Sequence, residues 1–169
     1  MKKILALLLI CLFFLECGYH FRGTGSFLPP HIKRVSIPMF KNLTTRYELD
    51  LKLTRSVIDE FVARGKVEIT SDMENADAIL VGEITSFTVN PIAFSEKATA
   101  DRYNIIVVAK ITLNDLVQRK IIYSNPAYIY QKEYEVPEGT DFETIETEAV
   151  GKIAEEFARS VIITILEGF

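Results

Sequence analysis

The chain has 169 residues, of which 49% are hydrophobic and 25% are charged, and its formal net charge is −4. This composition is typical of one globular domain, and the acidic balance argues against broad nucleic-acid binding, which needs a surface rich in Lys and Arg. The chain contains two cysteines and two histidines, which excludes a disulfide framework and predicts no structural metal and no cofactor.

The first predicted element is an export signal over residues 1–16. Lys2 and Lys3 give a cationic start, residues 4–15 form an almost unbroken apolar run, and Glu16 ends it. The run is shorter than the roughly 20 residues that a membrane-spanning helix needs. Cys17 follows directly, as in bacterial lipoproteins, where this cysteine carries lipid. We therefore predict a signal peptide over residues 1–16 and a lipid anchor at Cys17.

The residues before the cysteine depart from the usual lipoprotein cleavage site. That site has a small residue just before the cysteine and a leucine three residues before it, whereas this chain has Glu16 and Phe14. The alternatives are an uncleaved signal anchor and a plain secretory signal with an unmodified cysteine. The Gly-rich stretch that follows predicts a tether over residues 17–30, and residues 31–169 predict a single folded domain.

The predicted domain begins with a strand over residues 32–39 and a helix over residues 44–64. Leu49 and Leu53 fall on the side of this helix opposite its predicted core arc, and two exposed leucines four residues apart indicate a partner surface. At 100° per residue, that arc comprises Tyr47, Leu51, Thr54, Val57, Ile58, Phe61 and Val62.

Four more strands are predicted, over residues 66–70, 78–88, 103–116 and 121–136, and a final helix from residue 140 onward. Alternate residues from Ile105 to Leu113 are apolar and predict one buried side of their strand. The final helix has a predicted core stripe of Val150, Ile153, Ala154, Phe157, Ala158, Val161 and Ile165. The strand over residues 78–88 is apolar on both faces, which predicts a central place in the sheet. The last two strands form a hairpin. These elements predict an α+β fold in which two helices pack on one face of a mostly antiparallel four- to five-stranded sheet, in the order β-α-β-β-β-α.

No pattern of catalytic residues is present, and the histidines and cysteines supply no set of nucleophile and base, so we predict binding or assembly and no enzyme activity. Two pairs of basic residues on connections predict a local anion site. These are Lys97 and Arg102, which flank a polar loop, and Arg119 and Lys120, at the tip of the hairpin.

Four stretches resemble the LPS-assembly lipoprotein family, LptE. They are CGYHFRG at residues 17–23, IPMFKNLT at 37–44, the helix over 46–62 and ADAILVGEI at 76–84. The resemblance covers essentially the whole mature chain, and its first stretch is the most specific. It implies a lipoprotein on the inner leaflet of the outer membrane of a Gram-negative bacterium, attached to the membrane through Cys17.

The resemblance also implies partners. Members of the family plug the lumen of the translocon barrel LptD, help it to fold and bind lipopolysaccharide. No motif fixes the ligand contacts, so the expected lipopolysaccharide-binding residues are Arg119, Lys120, Lys97 and Arg102. Because a barrel lumen is polar, the expected barrel contacts are the apolar residues left outside the predicted core, namely Leu49, Leu53, Ile106 and Val108.

Two alternatives stay open at this point. The stretches at 37–44 and 76–84 are also similar to envelope lipoproteins of the curli-secretion and penicillin-binding-protein-activator types, in which a similar strand-helix-strand body binds another envelope partner. A periplasmic hydrolase is a third hypothesis, and the missing nucleophile argues against it.

Overall fold

The computed structural model describes residues 28–65, 67–95, 100–137, 140 and 142–167. The predicted signal peptide, the predicted lipid attachment at Cys17 and most of the predicted tether lie outside these residues, as does Lys97.

Within the described residues, the chain forms six strands and two helices in the order β-β-α-β-β-β-β-α. The predicted two helices and the predicted α+β class are confirmed. The elements are β1 (Arg34–Ser36), β2 (Lys41–Asn42), α1 (Leu49–Gly65), β3 (Glu68–Thr70), β4 (Ala78–Phe94), β5 (Ala100–Asp115), β6 (Lys120–Glu135) and α2 (Phe142–Glu167).

The strands make one mixed sheet in the order β3-β1-β4-β5-β6, and β2 pairs with β4 off this path. The long pairings of β4 with β5 and of β5 with β6 are antiparallel, whereas β1 pairs in parallel with β3 and β4, and β2 in parallel with β4. Strand β4 is central, as predicted. The sheet has one more strand than predicted because β2, with two residues, is too short to show any alternation.

The two faces of the sheet differ in burial. On the inner face, which the helices cover, alternate residues of β5 from Ile105 to Leu113 are fully buried. The predicted stripe of α2 is buried against them and joins the same core cluster. We call the opposite face, with Ile106 and Val108 of β5, the outer face, since successive side chains of a strand point to opposite sides. The buried stripe of α2 comprises Val150, Ile153, Ala154, Phe157, Ala158, Val161 and Ile165.

The predicted orientation of the first helix was partly wrong. Thr54, Val57 and Phe61 are buried, as predicted. Leu49 and Leu53 are buried, at 1% and 0% exposure, and cannot form the predicted partner surface, whereas Tyr47 is 82% exposed. Helix α1 begins only at Leu49, because Glu48 has a φ of 57°, a left-handed conformation that does not belong to a right-handed helix. The prediction counted Tyr47 as a core residue of the helix, although Tyr47 precedes it. The predicted core side was therefore rotated relative to the observed one. The observed buried stripe is Leu49, Leu53, Thr54, Val57 and Phe61.

Strand β4 is longer than predicted. It continues past Asn90 and Pro91 to Phe94, with shifts of register on either side of Ala93. Proline donates no hydrogen bond, and among the described strands β4 has only β5 beside it at this point. An edge position of this kind tolerates proline.

Candidate interaction surfaces

A buried carboxylate fixes the turn between β5 and β6. Asp115 is 1% exposed, and one of its oxygens accepts a hydrogen bond from the backbone amide of Gln118 at 2.8 Å. The other oxygen lies 2.8 Å from Nε2 of His31. In addition, the amide of Leu116 donates to the carbonyl of Asp77 at 2.8 Å. The turn is therefore held both to the start of the domain and to the segment before β4.

Two acids at this end of the sheet, Asp115 and Asp77, are stabilised in their ionised form. Burial favours the neutral form of Asp115, but the hydrogen bonds from Gln118 and His31 outweigh it and lower the pKa of this carboxyl. The backbone amides of Arg34 and Lys33, which donate at 2.8 and 2.9 Å, lower the pKa of Asp77. Hydrogen bonds to the ionised form of a carboxyl lower its pKa. Asp115 and Asp77 therefore stabilise the fold at this end of the sheet.

The turn itself exposes apolar and basic side chains. Val117 is 61% exposed, Leu116 39% and Ile121 64%, while Arg119 and Lys120 are also exposed. No ion pair joins Arg119 or Lys120 to another residue in the described part of the chain. We call residues 116–121 the basic turn. Arg119 has a φ of 52°, a conformation that favours glycine.

The structure does not bring the four predicted basic residues together. Arg119 and Lys120 are adjacent at the turn, whereas Arg102 lies near the start of β5, at the other end of the sheet. The distance along β5 is on the order of 40 Å at about 3.4 Å per residue. Arg102 is also partly neutralised, because its guanidinium lies 3.2 Å from an oxygen of Glu135 and 3.9 Å from one of Glu133.

The outer face carries a short apolar strip on β5 and β6. Val108 of β5 lies directly opposite Ile129 of β6, and Ile129 is 63% exposed. Ile106 and Val108, two of the predicted barrel contacts, are half-buried on this face. Polar neighbours border the strip, among them the pair of Lys41 and Glu83 at 3.6 Å. The strip comprises Ile106, Val108 and Ile129.

Sequence reasoning missed Ile129, although the signal was present. Tyr128 and Tyr130 pack toward the core, so the residue between them must point to the outer face. Applying the same alternation to β6 as to β5 would have placed Ile129 on the outer face.

Other kinds of site find less support in the described part of the chain. No group of three or more His, Cys, Asp or Glu there is arranged to hold a metal ion. An open groove between the helices is lined by Arg55, Asp59 and Arg159 among others. Because the lining carries both positive and negative side chains, it does not indicate one class of ligand. No helix among the described residues is long and apolar enough to cross a membrane.

Comparison with known proteins gives a family match and several solved structures of similar fold. The model of the LptE family, described as lipopolysaccharide-assembly, matches residues 32–165. The fold is similar to lipoprotein B from Nitrosomonas europaea, with a TM-score of 0.56, 14% identity, and coverage of 89% of this chain and 92% of that one. It is also similar to the PelC dodecamer from Paraburkholderia phytofirmans, with a TM-score of 0.53, 14% identity, and coverage of 84% and 93%. No functionally curated protein sequence matches the chain.

Proposed function

Because the chain belongs to the LptE family of lipopolysaccharide-assembly lipoproteins, we propose that it forms a complex with an LptD-type β-barrel of the outer membrane. In this complex it plugs the barrel, assists barrel assembly and helps to deliver lipopolysaccharide to the cell surface. The observation that carries this proposal is the family match, which spans residues 32–165. The role is one of binding and assembly, with no catalytic step.

The proposed position of the protein is the periplasmic face of the outer membrane. Residues 1–16 act as a signal peptide, Cys17 carries the lipid, and residues 17–30 connect it to the single domain of residues 31–169. Leu28, near the end of this connection, already packs in the core of the domain. Several acyl chains on one residue hold a protein firmly in a membrane, since each buried CH2 contributes about 0.8 kcal/mol. Mass spectrometry of the N-terminal peptide tests this part of the proposal, and an unmodified Cys17 thiol would contradict it.

The outer face is the proposed contact with the barrel. Ile106 and Val108 lie there next to Ile129, and the strip they form is apolar, partly exposed and bordered by charged residues. A plug needs most of its surface polar, because the lumen of a barrel is polar. A short apolar strip within a charged face provides a local, desolvated contact inside such a polar interface. Leu49 and Leu53 are core residues and take no part.

Lipopolysaccharide is the proposed ligand, and its phosphates call for basic side chains. Of the candidates, Arg119 and Lys120 lie at the basic turn and Arg102 lies at the opposite end of the sheet, while Lys97 lies outside the described residues. A single headgroup cannot contact both ends. Charge reversal at each end separately, with lipopolysaccharide binding as the measurement, identifies which end takes part.

Affinity purification with two matched variants tests the barrel proposal. Ile129→Asp places a charge in the outer strip, and Val62→Asp places one on α1, at a residue that is 58% exposed compared with 63% for Ile129. The native protein and Val62→Asp should recover the barrel from outer membranes at a one-to-one ratio, and Ile129→Asp should lose it. Equal recovery by both variants would contradict the proposed surface. Recovery of a peptidoglycan synthase or a secretion ring by the native protein would contradict the proposed partner.

A further inference from the structure

The described chain begins beside the basic turn. Leu28 is buried at 7% exposure, and three residues later His31 contacts the turn through Asp115, at 2.8 Å, and Gln118, at 3.4 Å. The described part of the chain therefore starts at this end of the sheet. The opposite end, where Arg102 lies, is on the order of 40 Å further away along β5.

The basic turn has the chemistry of a segment that rests on an anionic membrane surface. Leu116 and Val117 offer exposed apolar side chains beside the cations of Arg119 and Lys120. Residues of both kinds are favoured at the headgroup level, where the apolar groups reach the acyl boundary and the cations meet phosphates. The acid of this turn, Asp115, is buried and hydrogen-bonded, so it does not oppose such a contact.

The acidic surface at this end lies to one side. Asp72 and Glu74 are exposed and follow β3, which is separated from β5 by β1 and β4. Asp72 accepts a hydrogen bond from the side-chain amide of Asn75 at 2.6 Å. Asp77, the third acid of this loop, accepts hydrogen bonds from the backbone amides of Lys33 and Arg34, so two of the three carboxylates are already hydrogen-bonded within the fold.

We propose that the basic turn rests on the anionic phospholipid headgroups of the leaflet that holds the lipid anchor. This inference rests on the proposed function in one respect, the attachment of lipid at Cys17. His31 and Cys17 are separated by 14 positions in the sequence, a length that spans at most about 50 Å. Anchor and turn together give two points of membrane contact, which orient the long axis of β4, β5 and β6 away from the leaflet.

The test uses the full-length, lipid-modified protein in vesicles of phosphatidylcholine with and without phosphatidylglycerol. Val117→Cys carries an environment-sensitive fluorophore at the turn, and Ile92→Cys carries it in the distal part of β4, where Ile92 is 45% exposed. Each variant has one free thiol, because Cys11 belongs to the proposed signal peptide and Cys17 to the proposed anchor. Mass spectrometry of Cys17 is recorded on the same samples.

The label at Val117 should report an apolar environment with phosphatidylglycerol, whereas the label at Ile92 should report water in both membranes. Arg119→Gly combined with Lys120→Gln should weaken the contact by about fivefold for each cation removed. Glycine suits the left-handed φ of residue 119, so this variant retains the turn, and a loss of contact is not a loss of fold.

Three other results are decisive. A Val117 label that stays in water while Cys17 is acylated would overturn the membrane contact and leave the anchor intact. An unmodified Cys17 would overturn the anchor itself, on which the contact depends. A label that responds to vesicles containing lipopolysaccharide, and not to phosphatidylglycerol, would also overturn the proposal and assign the turn to the transported ligand.

Discussion

The two faces of the sheet are formed by the same strands but differ in what covers them, and three successive residues of β6 show the difference. Tyr128 and Tyr130 point inward, where their rings meet the edge of Phe157 at centroid distances of 5.8 and 6.3 Å. Ile129, between them, is 63% exposed on the outer face. Packing therefore stabilises the inner face, and the outer face remains available for a partner.

The tyrosines also fasten helix α2 to the sheet through polar contacts. The hydroxyl of Tyr128 lies 2.6 Å from that of Ser160, and the hydroxyl of Tyr130 donates to Glu156 at 2.7 Å. Burial and the neighbouring Glu156 carboxylate raise the pKa of Tyr130, so it stays a neutral donor. The comparison thus predicts large stability effects for inner residues and small ones for outer residues, and the following variants test that prediction.

The largest expected effect is that of Phe157→Ala. Phe157 is fully buried, and removing a buried aromatic ring leaves a cavity, so the free energy of unfolding should fall by about 3–5 kcal/mol. Ile129→Ala on the outer face should change it by no more than about 0.5 kcal/mol. Urea denaturation of both variants measures the two values. Similar losses for the two variants would show that the outer face is also a packed surface.

Replacing either of two glycines by alanine should change the stability of the fold by an intermediate amount, and the two changes should have opposite signs. A Cβ at Gly82 would clash with the ring of Phe40, which is itself 2% exposed, so Gly82→Ala should destabilise the fold by about 1–3 kcal/mol. A Cβ at Gly151 in helix α2 meets nothing within 4 Å, so Gly151→Ala should stabilise it by about 0.5–1 kcal/mol. Thermal unfolding compares the two, and a destabilising Gly151→Ala would contradict the open surroundings of that residue.

The inner face is also the part of the fold that the sequence predicted best. The alternation from Ile105 to Leu113 and the helical stripe that includes Phe157 each repeat over several turns or strand positions, so their periods are unambiguous. Helix α1 was harder, because its start depends on the left-handed Glu48. Strand β2 has two residues and no period at all. Long elements that pack on one side were therefore predictable, and short elements set by tertiary contacts were not.

The candidate surfaces were predictable only where a single element defines them. Arg119 and Lys120 were correctly placed at the hairpin tip, because the turn lies between two clear strands. The pairing of Arg102 with Glu135 depends on the register of β5 with β6. The contact of His31 with Asp115 joins residues 84 positions apart. Such contacts depend on three-dimensional placement, which no local pattern contains.

Asp115→Asn tests a buried polar residue through the pH dependence of the stability of the fold. Hydrogen bonds outweigh burial and hold the pKa of Asp115 below its ordinary value of 3.8. A carboxyl with a lowered pKa in the fold contributes stability above its ordinary pKa, and this contribution is lost as the pH falls through the folded-state value. The stability difference between native protein and variant should therefore be largest near neutral pH and narrow below about pH 4. Urea denaturation at several pH values measures it, and a constant difference would contradict a role for the charge.

The smallest expected effect belongs to Arg102 on the outer face. Its side chain is 44% exposed, and those of Glu133 and Glu135 are 62% and 76% exposed, so solvent screens both pairs. Exposed ion pairs of this kind contribute roughly 0–1 kcal/mol, less at high salt. Arg102→Gln should therefore leave the free energy of unfolding within about 0.5 kcal/mol of the native value. A larger loss in urea denaturation that persists at high salt would mean that Arg102 supports the fold by packing, and the division of roles between the two faces would not hold at this end of the sheet.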